Sequence, residues 1–495
     1  MDRPAPAWFA GSADGLRALD SLVDLVLATV RAGLADHDGP LPAGGPREVR
    51  RRSRPFSESI LPDRGMGDAA ALEPLARAFA AGSVDLTHPS TAAFLQCPAL
   101  TVAAAADLVV SALNQSVDVW DSGPFAMELE EAVMAEIRDL LGLPEGAAGV
   151  TTPGGSLANL LAVIVARDVA GARLAGADIV DGGLAGVPGR LRVVCSGESH
   201  VSVRRAVAAA GLGDRSTIVV PADARGVMRA EAVERKLAGL TGDAAFLLIA
   251  NAGTTDVGAI DELPRLARLA AARGMWFHVD AAYGGGMLMS RRLRPLFAGI
   301  ELADSVTVDL HKMAWQPASA SVLMLRRQAD FAPLHREAPY LNPADDAEAG
   351  LPHRLGRTLE TTRRADVLKI AAAFRALGRD GLSDLVDRCH ELACYAAERI
   401  EADDRLQLAA PVTLTRVVFR YLPRHPARRD DVNAALRRRL LARGRAVLGR
   451  TVRRSEEGEA VYLKLTMINP LATESDVDEL LDAVLAAGRE EERDA

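Results

Sequence analysis

Between residues 150 and 330, short apolar runs alternate with helical stretches rich in alanine, leucine and arginine, and this alternation constrains the fold most. Strands joined through helices are typical of βαβ units, in which crossover helices cover a parallel sheet. The sequence therefore predicts an α/β fold with a mostly parallel sheet. The candidate strands are Leu191–Cys195, Thr217–Val220, Ala245–Ala250, Trp276–Asp280, Ser305–Asp309 and Ser321–Leu325, and the candidate helices are Leu157–Val169, Val201–Ala210, Ala230–Leu240 and Leu263–Arg273.

The outer parts of the chain have other patterns. An amphipathic helix is predicted over residues 14–34, a loop or arm over 36–54 and helical structure over 107–143, and a helix–strand pattern follows residue 365. Because 495 residues have room for two or three domains, we predict three segments. They are an N-terminal helical and dimerisation segment (1–85), a large domain (86–365) and a small α+β domain (366–495).

The composition narrows the class of partner. The net charge of −8 disfavours a protein that mainly neutralises nucleic-acid phosphates, so a small molecule is the expected partner. The N-terminus lacks the pattern of a secretory signal, and no apolar run is long enough to cross a bilayer, which predicts a cytoplasmic protein without membrane contact. Four scattered cysteines indicate neither a disulfide framework nor a zinc site, and no metal is predicted.

Lysine is rare in this chain: of 58 basic residues only Lys236, Lys312, Lys369 and Lys464 are lysines. An amine can lose its proton and attack a carbonyl carbon, whereas a guanidinium cannot. Lys312 directly follows a predicted strand, in Asp309-Leu310-His311-Lys312. A single lysine at such a position is more often a surface residue. Lys312 is therefore a candidate reactive amine only if other functional groups lie near it in the fold.

Other polar groups follow the predicted strands. Gly154-Gly155-Ser156 precedes a helix whose N-terminal amides favour a phosphate, Asp280 ends a buried strand, and His200 and Thr255 lie at further strand ends. Each feature has a structural explanation by itself, such as a helix cap or a turn. Together they meet the needs of pyridoxal phosphate, namely an anion site, a partner for the pyridinium nitrogen and a Schiff-base lysine.

The segments 251–263, 277–285 and 303–312 resemble group II pyridoxal-phosphate decarboxylases of fold type I, and the resemblance extends over residues 85–470. It implies an aspartate aminotransferase-like large domain. It also implies that Lys312 holds the cofactor as an aldimine, that Asp280 keeps the ring nitrogen protonated and that His200 stacks on the ring. The remaining implied cofactor contacts are Thr255 and Ala282 at the ring and Gly154, Gly155, Ser156, Asp309 and His311 around the phosphate.

The resemblance further implies a proton donor. Tyr340, in Pro339-Tyr340-Leu341-Asn342-Pro343, matches the tyrosine that protonates the quinonoid carbon after CO₂ leaves, whereas related oxidative enzymes carry phenylalanine there. The implied protein is a homodimer with its active site at the subunit interface. An oxidative deaminase that yields an aldehyde and a non-catalytic scaffold relative are the two alternatives.

Within this family the chain resembles the branch of L-2,4-diaminobutyrate decarboxylases and siderophore lysine decarboxylases, on Gly350-Leu351-Pro352 and on residues 361–369. Phe94, Leu95, Gln96 and Trp315 are the candidate substrate residues. Phe94, Trp315 and Ala365 depart from the branch's usual residues. The predicted substrate is therefore a diamino acid or a variant of it. Asp345, Asp346 and Glu348 are candidates for binding a distal ammonium, with a solvated acidic loop as the alternative.

Overall fold

The computed structural model describes residues 6–57, 60–187, 189–240, 242–455 and 458–493. The chain forms two compact units. The first unit combines Met1–Pro98 with Cys389–Ala495, and the second is Ala99–Arg388. Their boundaries fall at 98/99 and 388/389, whereas the three segments of the sequence analysis meet at 85/86 and 365/366. That division into three segments stays a prediction.

The helices are numbered in chain order. They are α1 (Ala13–Leu34), α2 (Gly45–Ser57), α3 (Asp68–Gly82), α4 (Thr101–Leu113), α5 (Pro124–Leu141), α6 (Gly155–Ala166), α7 (Ala172–Ala175), α8 (Ile179–Gly182), α9 (Val201–Ala209), α10 (Ala230–Ala238), α11 (Leu263–Ala272), α12 (Leu310–Met313), α13 (Ala344–Glu348), α14 (Val367–Glu401), α15 (Arg429–Ala442) and α16 (Glu474–Arg493).

The strands are numbered in the same way. They are β1 (Thr91–Ala92), β2 (Ala148–Thr152), β3 (Leu191–Ser196), β4 (Thr217–Val220), β5 (Ala244–Asn251), β6 (Trp276–Asp280), β7 (Ser305–Asp309), β8 (Ser321–Leu325), β9 (Leu406–Leu408), β10 (Arg416–Tyr421), β11 (Val447–Ser455) and β12 (Gly458–Thr466).

The second unit is built on a seven-stranded sheet in the order β2-β8-β7-β6-β5-β3-β4. Strands β4, β3, β5, β6 and β7 are parallel, and β8 is antiparallel to both β7 and β2. All strands except β8 therefore end at the same edge, which we call the carboxyl edge. Every described residue of β6, β7 and β8 is buried, as expected for a sheet covered by crossover helices. The predicted mostly parallel α/β fold is confirmed.

Helix α6 positions the carboxyl edge. It begins directly after β2, and its apolar residues Leu161, Val163 and Val165 are fully buried in the core of the second unit. This burial removes apolar area from water along the whole helix, and each such side chain contributes about 1.5–3 kcal/mol. The N-terminal end of α6 is therefore held rigidly beside the strand ends.

The first unit contains a five-stranded sheet in the order β1-β11-β12-β10-β9. Thr91 and Ala92 pair in parallel with Val447 and Leu448, so an N-terminal segment forms an edge strand of a C-terminal sheet. Helices α15 and α16 pack on this sheet. Helices α1 and α3 approach each other closely at Gly33, where a Cβ would lie 2.7 Å from the Cβ of Ala80. The predicted helix 14–34 is thus confirmed as α1.

Two predictions of local structure are wrong. Residues 36–54 were predicted as a loop, but α2 occupies much of this segment because Glu48 pairs with Arg51 and Arg52 one turn later. The continuous helical pattern over 107–143 is two helices, because Asn114 is left-handed (φ 49°) and ends α4. Among the described residues, no helix is both long and apolar enough to cross a bilayer.

Candidate active site

The lysine singled out by the sequence lies at the carboxyl edge, on the short helix α12 that follows β7. Its Nζ is 2.8 Å from Asp309 Oδ2, and its side chain is 21% exposed. Asp309 is buried, and its Oδ1 accepts a hydrogen bond of 2.6 Å from Ser321 Oγ at the start of β8. His311 Nε2 lies 3.7 Å from Asp309 Oδ2. Asp309 therefore orients the amine of Lys312 at the sheet edge.

The Gly-Gly-Ser motif forms the N-terminus of α6, as predicted. Gly154 precedes the helix with a φ of 154°, and the first amides of a helix have no acceptor in a preceding turn. A Cβ on Gly155 would lie 2.7 Å from Asp309 Oδ1 and 3.2 Å from the Cβ of Ala282. The ends of β2, β6 and β7 thus converge here, and any side chain at Gly155 would fill the space between them.

Asp280 ends β6 and is buried (7% exposed). Its Oδ1 accepts a hydrogen bond of 3.1 Å from the Ala282 backbone N–H, and its Oδ2 accepts one of 2.8 Å from Asn159 Nδ2. Two fixed donors therefore hold this carboxylate in one orientation. A buried carboxylate held in this way can bind a cationic or N–H group of a ligand.

His200 is the N-cap of α9, and its Nδ1 accepts from the Ser202 backbone N–H at 3.3 Å. His200 as a whole is an exposed residue. The partial loss of hydration lowers the pKa of His200 below its usual range, while the negative charge of Asp280 acts in the opposite direction. The charges of Lys312 and Asp309 also act on the ring, so His200 belongs to the same group of residues. Its neutral form prevails at neutral pH.

The turn after β5 carries Thr255, which is half-buried. Asp261 supports this turn, because its carboxylate accepts hydrogen bonds from the backbone N–H groups of Asn251 and Met228, each at 2.7 Å. Asn251 Nδ2 donates to the same carboxylate at 2.9 Å. Complete burial raises the pKa of Asp261 to about 7, and the three donors favour its ionised form. Asp261 was missed by the sequence analysis.

The predicted substrate residues are not brought together within one unit. Trp315 lies in the second unit, is 1% exposed and has a left-handed φ of 51°, which is strained for a large side chain. Its backbone oxygen accepts a hydrogen bond of 2.9 Å from Leu100 N. Phe94, Leu95 and Gln96 belong to the first unit, and Phe94 is 61% exposed. Their roles toward a substrate stay predictions.

Tyr340 lies at the tip of a turn and is 85% exposed. Asn342 closes this turn, because its Oδ1 accepts from Ala338 N at 2.8 Å and its own N donates to Ala338 O at 2.9 Å. The turn therefore presents the phenol outward. Asp345, Asp346 and Glu348 on the following helix α13 are exposed, as a solvated acidic segment would be.

Three buried polar residues beside Asp280 and His200 were also missed: Asn159, Ser202 and His278. A signal for Asn159 was present, because an amide in the middle of an otherwise apolar buried helix needs a polar partner. For His278, the signal was its place within an apolar strand. Which partners satisfy these groups could not be inferred from local sequence.

A family model also matches this chain. The model described as "Pyridoxal-dependent decarboxylase conserved domain" matches residues 57–422. Because this match covers more than half of the chain, the chain belongs to the pyridoxal-dependent decarboxylase family. Its cofactor is pyridoxal 5′-phosphate, and its reaction is the decarboxylation of an amino acid.

Curated relatives point in the same direction. An L-2,4-diaminobutyrate decarboxylase from Rhizobium meliloti (strain 1021) is 41% identical over 433 residues, which cover 87% of this chain and 84% of that protein. Another from Acinetobacter baumannii is 34% identical over 433 residues, covering 85% and 84%.

A solved structure is similar over nearly the full length. It is the glutamate decarboxylase domain of diaminobutyrate-pyruvate transaminase and L-2,4-diaminobutyrate decarboxylase from Vibrio parahaemolyticus. Its TM-score is 0.85 and its identity 30%, with 97% of each chain covered. The fold class, the cofactor and the reaction class predicted from the sequence are thereby confirmed.

The residues at the carboxyl edge fit this cofactor. The side-chain-free Gly155 leaves a cradle at the N-terminus of α6, where backbone N–H groups favour a phosphate. Asp280 offers a fixed buried carboxylate to a pyridine N–H, and Lys312 offers a primary amine. These three residues therefore bring a site for an anion, a carboxylate for a ring N–H and a primary amine to one edge of the sheet.

Proposed function

We propose that Lys312, Asp280 and His200 hold pyridoxal phosphate at the carboxyl edge and that the enzyme converts a diamino acid into its amine. The observation that carries this proposal is the convergence of four strand ends on one edge: the α6 cradle, the fixed Asp280 carboxylate, the His200 ring and the Lys312 amine. The phosphate would be held by Gly154, Gly155, Ser156, Asp309 and His311, and the ring would lie against Thr255 and Ala282.

The cofactor supplies a protonated pyridine ring that accepts the electron pair left on the substrate Cα when CO₂ departs. Asp280 would keep the proton on the ring nitrogen, because a carboxylate beside an N–H group favours its charged form. The Lys312 amine would hold the cofactor through its aldehyde group between turnovers. His200 would lie against the cofactor ring, and the Tyr340 hydroxyl together with His200 would deliver a proton to the substrate Cα.

Borohydride labelling tests the anchor. Reduction of the purified yellow protein is expected to attach the cofactor to the peptide that contains Lys312. Lys312→Arg keeps the positive charge but loses both the visible absorption and the label. Lys236→Arg, at an exposed lysine of α10, is the matched control and keeps both. A label on another lysine, or no label with excess pyridoxal phosphate, contradicts the assignment and favours the scaffold alternative.

For the substrate we propose L-2,4-diaminobutyrate or an amino acid of similar shape. This proposal is supported by two relatives that bear that activity in their names and by the similar solved structure. CO₂ release is measured with L-2,4-diaminobutyrate, L-lysine, L-glutamate and L-cysteine sulfinate. A clear preference for diaminobutyrate supports it, whereas a preference for another amino acid supports the altered pocket predicted from Phe94 and Trp315.

A cytoplasmic homodimer with its active site at the interface is the proposed assembly. The first unit exposes large apolar side chains, among them Trp8 (69%), Phe9 (61%) and Phe79 (78%), which a second copy could cover. Sedimentation velocity tests the mass. Mixing Lys312→Ala chains with Tyr340→Phe chains tests the interface site, because amine production is restored only if each site uses residues of both copies.

A further inference from the structure

Asn159 lies outside the strand-end motifs, but hydrogen bonds link it to both Asp280 and His200 of the proposed cofactor site. Helix α6 buries it to 2% exposure. Its Nδ2 lies 2.8 Å from Asp280 Oδ2 and 3.0 Å from Ser202 Oγ, and Ser202 Oγ lies 2.8 Å from His200 Nδ1. A single buried amide thus connects the Asp280 carboxylate with the His200 ring.

The orientation of the amide follows from its partners. An ionised carboxylate has no proton to donate, so Asn159 must turn its NH₂ group toward Asp280. One of the two amide protons serves Asp280 and the other serves Ser202. The Asn159 oxygen is then an acceptor, and His278 Nε2 lies 3.1 Å from it. His278 therefore carries its proton on Nε2.

The hydrogen bonds on the other side of Asn159, through His278 to Trp276, point in the same direction. Complete burial lowers the pKa of His278 to about 4, so the ring carries one proton at neutral pH. With the ring proton on Nε2, Nδ1 accepts from Ser305 Oγ at 2.8 Å, although a contact with the Ser305 backbone acts in the opposite direction and favours the protonated ring. Ser305 Oγ in turn accepts from Trp276 Nε1 at 2.8 Å, and an indole N–H can only donate. In this chain of hydrogen bonds, every donor therefore lies on the side of Trp276 and every acceptor on the side of Asp280.

The direction at His200 rests on an independent contact. The backbone N–H of Ser202 points at His200 Nδ1 from 3.3 Å, and a backbone N–H cannot accept. Nδ1 therefore carries the lone pair, and the Ser202 hydroxyl also donates to it. The proton of the neutral His200 ring is on Nε2, the nitrogen that Ser202 does not contact.

We propose that Asn159 is a positioning residue, the branch point of a one-way hydrogen-bond chain that orients the Asp280 carboxylate and holds His200 in its Nε2–H tautomer. The inference rests on the proposed function of Asp280 and His200. Preset dipoles need no reorganisation during the reaction, which is the advantage of such a chain in an enzyme site.

The tautomers are tested without cofactor. In protein labelled with ¹⁵N-histidine at mildly alkaline pH, long-range proton–nitrogen spectra distinguish the two neutral tautomers. His200 and His278 are expected to show protonated Nε2. His390 is the internal reference with the opposite pattern, because its Nδ1 lies 2.6 Å from the Leu414 carbonyl oxygen, which only accepts. Histidine-to-glutamine variants assign the signals.

The positioning role is tested by titrating the cofactor-free variants with pyridoxal phosphate. Asn159→Leu, nearly equal in volume, removes the donor to Asp280 and is expected to weaken cofactor binding by about 10- to 100-fold. Ser202→Ala keeps the donor to Asp280 but removes the link to His200, so its affinity is expected to fall by less than that of Asn159→Leu. Ser290→Ala is the matched buried control, because the Ser290 hydroxyl donates to Asp387 outside this chain, and it is expected to retain the affinity of the wild type.

Two results would overturn the proposal: protonated Nδ1 on His200 or His278, or near wild-type cofactor affinity in folded Asn159→Leu protein. If Asn159→Leu does not fold, the tautomer spectra of the wild type still decide the direction of the chain. If the wild type itself binds no pyridoxal phosphate, the proposed function is wrong. The tautomer spectra still show whether the hydrogen bonds have the proposed direction.

Discussion

At the scale of single residues, the rarity of lysine indicates candidate reactive amines but does not distinguish Lys312 from a structural lysine. Lys369 is as rare a residue as Lys312, yet it is 1% exposed and lies between Asp366 (2.8 Å) and Asp107 (3.3 Å). Such a buried cation is held between its two carboxylate partners and is not positioned as a free amine. Position at the carboxyl edge, and not residue type, separates the proposed reactive lysine from the structural one.

The product of the reaction is predicted to depend on one hydroxyl. Tyr340→Phe removes the proposed proton donor, so amine formation is expected to fall by about 100-fold while aldehyde, ammonia and hydrogen peroxide appear, with dissolved dioxygen as the two-electron oxidant and water supplying the aldehyde oxygen. Amine chromatography and a peroxidase-coupled assay measure the two branches. The control is Tyr395→Phe, because the Tyr395 hydroxyl donates to Asp478 in the first unit. Unchanged amine production by Tyr340→Phe would remove Tyr340 from the mechanism.

At the scale of elements, each strand end depends on buried polar groups from neighbouring elements. His278 of β6 is completely buried and lies between Ser305 of β7 and Asn159 of α6. The turn after β5 depends in the same way on Asp261. These contacts tie the strand ends to one another, so their loss is expected to weaken the sheet edge before it affects the rest of the unit.

The buried histidine predicts a pH dependence of stability. The folded-state pKa of His278 is about 4, below the usual value of 6.5, so the unfolded chain binds this proton more tightly. Stability is therefore lost as pH falls from about 6.5 through about 4, by on the order of 3 kcal/mol. Urea unfolding of cofactor-free protein at several pH values measures it. His278→Gln is expected to flatten this part of the profile, and an unchanged slope would contradict the assignment.

The Asp261 carboxylate is predicted to stabilise the turn after β5. Asp261→Asn replaces one acceptor oxygen by an NH₂ group that faces backbone donors. The free energy of unfolding is therefore expected to fall by about 1–3 kcal/mol. Denaturant unfolding measures the change. Asp404→Asn, at an exposed aspartate, is the control and stays within about 0.5 kcal/mol of wild type. Equal effects of the two substitutions would show that the buried contacts of Asp261 are not stabilising.

At the scale of the whole molecule, segments far apart in the chain meet in buried ion pairs. Glu130 of α5 is 0% exposed and lies 2.7 Å from Arg363 Nη1, just before α14. It also accepts from the Thr151 backbone N–H of β2 at 3.1 Å. Burial raises the pKa of Glu130, but hydrogen bonds from Arg363 and Thr151 outweigh it and lower the pKa below its usual value. The pair joins three segments of the second unit.

Removal of one partner of this pair is predicted to be costly. Arg363→Met leaves the Glu130 carboxylate buried without its cation, so the free energy of unfolding is expected to fall by about 3–5 kcal/mol. The double variant Glu130→Leu/Arg363→Met removes both charges and is expected to be more stable than the single variant. Denaturant unfolding of the two proteins measures the difference, and a double variant no more stable than Arg363→Met would contradict this interpretation.

Local pattern was sufficient for much of this protein. The predicted bounds of β4, β6, β7 and β8 agree with the structure, because strand signals lie in consecutive apolar residues. Parallel strands end at one edge, so the sequence alone also placed Lys312, Asp280 and His200 at the same side of the sheet. Whether these residues have the proposed roles is a question for the labelling and variant experiments.

Only the tertiary structure decided which groups satisfy one another. Asn159 and Asp280 are 121 residues apart, Glu130 and Arg363 are 233 apart, and β1 joins β11 from the opposite end of the chain. No local periodicity encodes such partners, because a buried polar group needs a donor or acceptor but its sequence does not say where that partner lies. The sequence determined the sheet and the residues at its carboxyl edge, and the packing of distant segments determined how the side chains there are held.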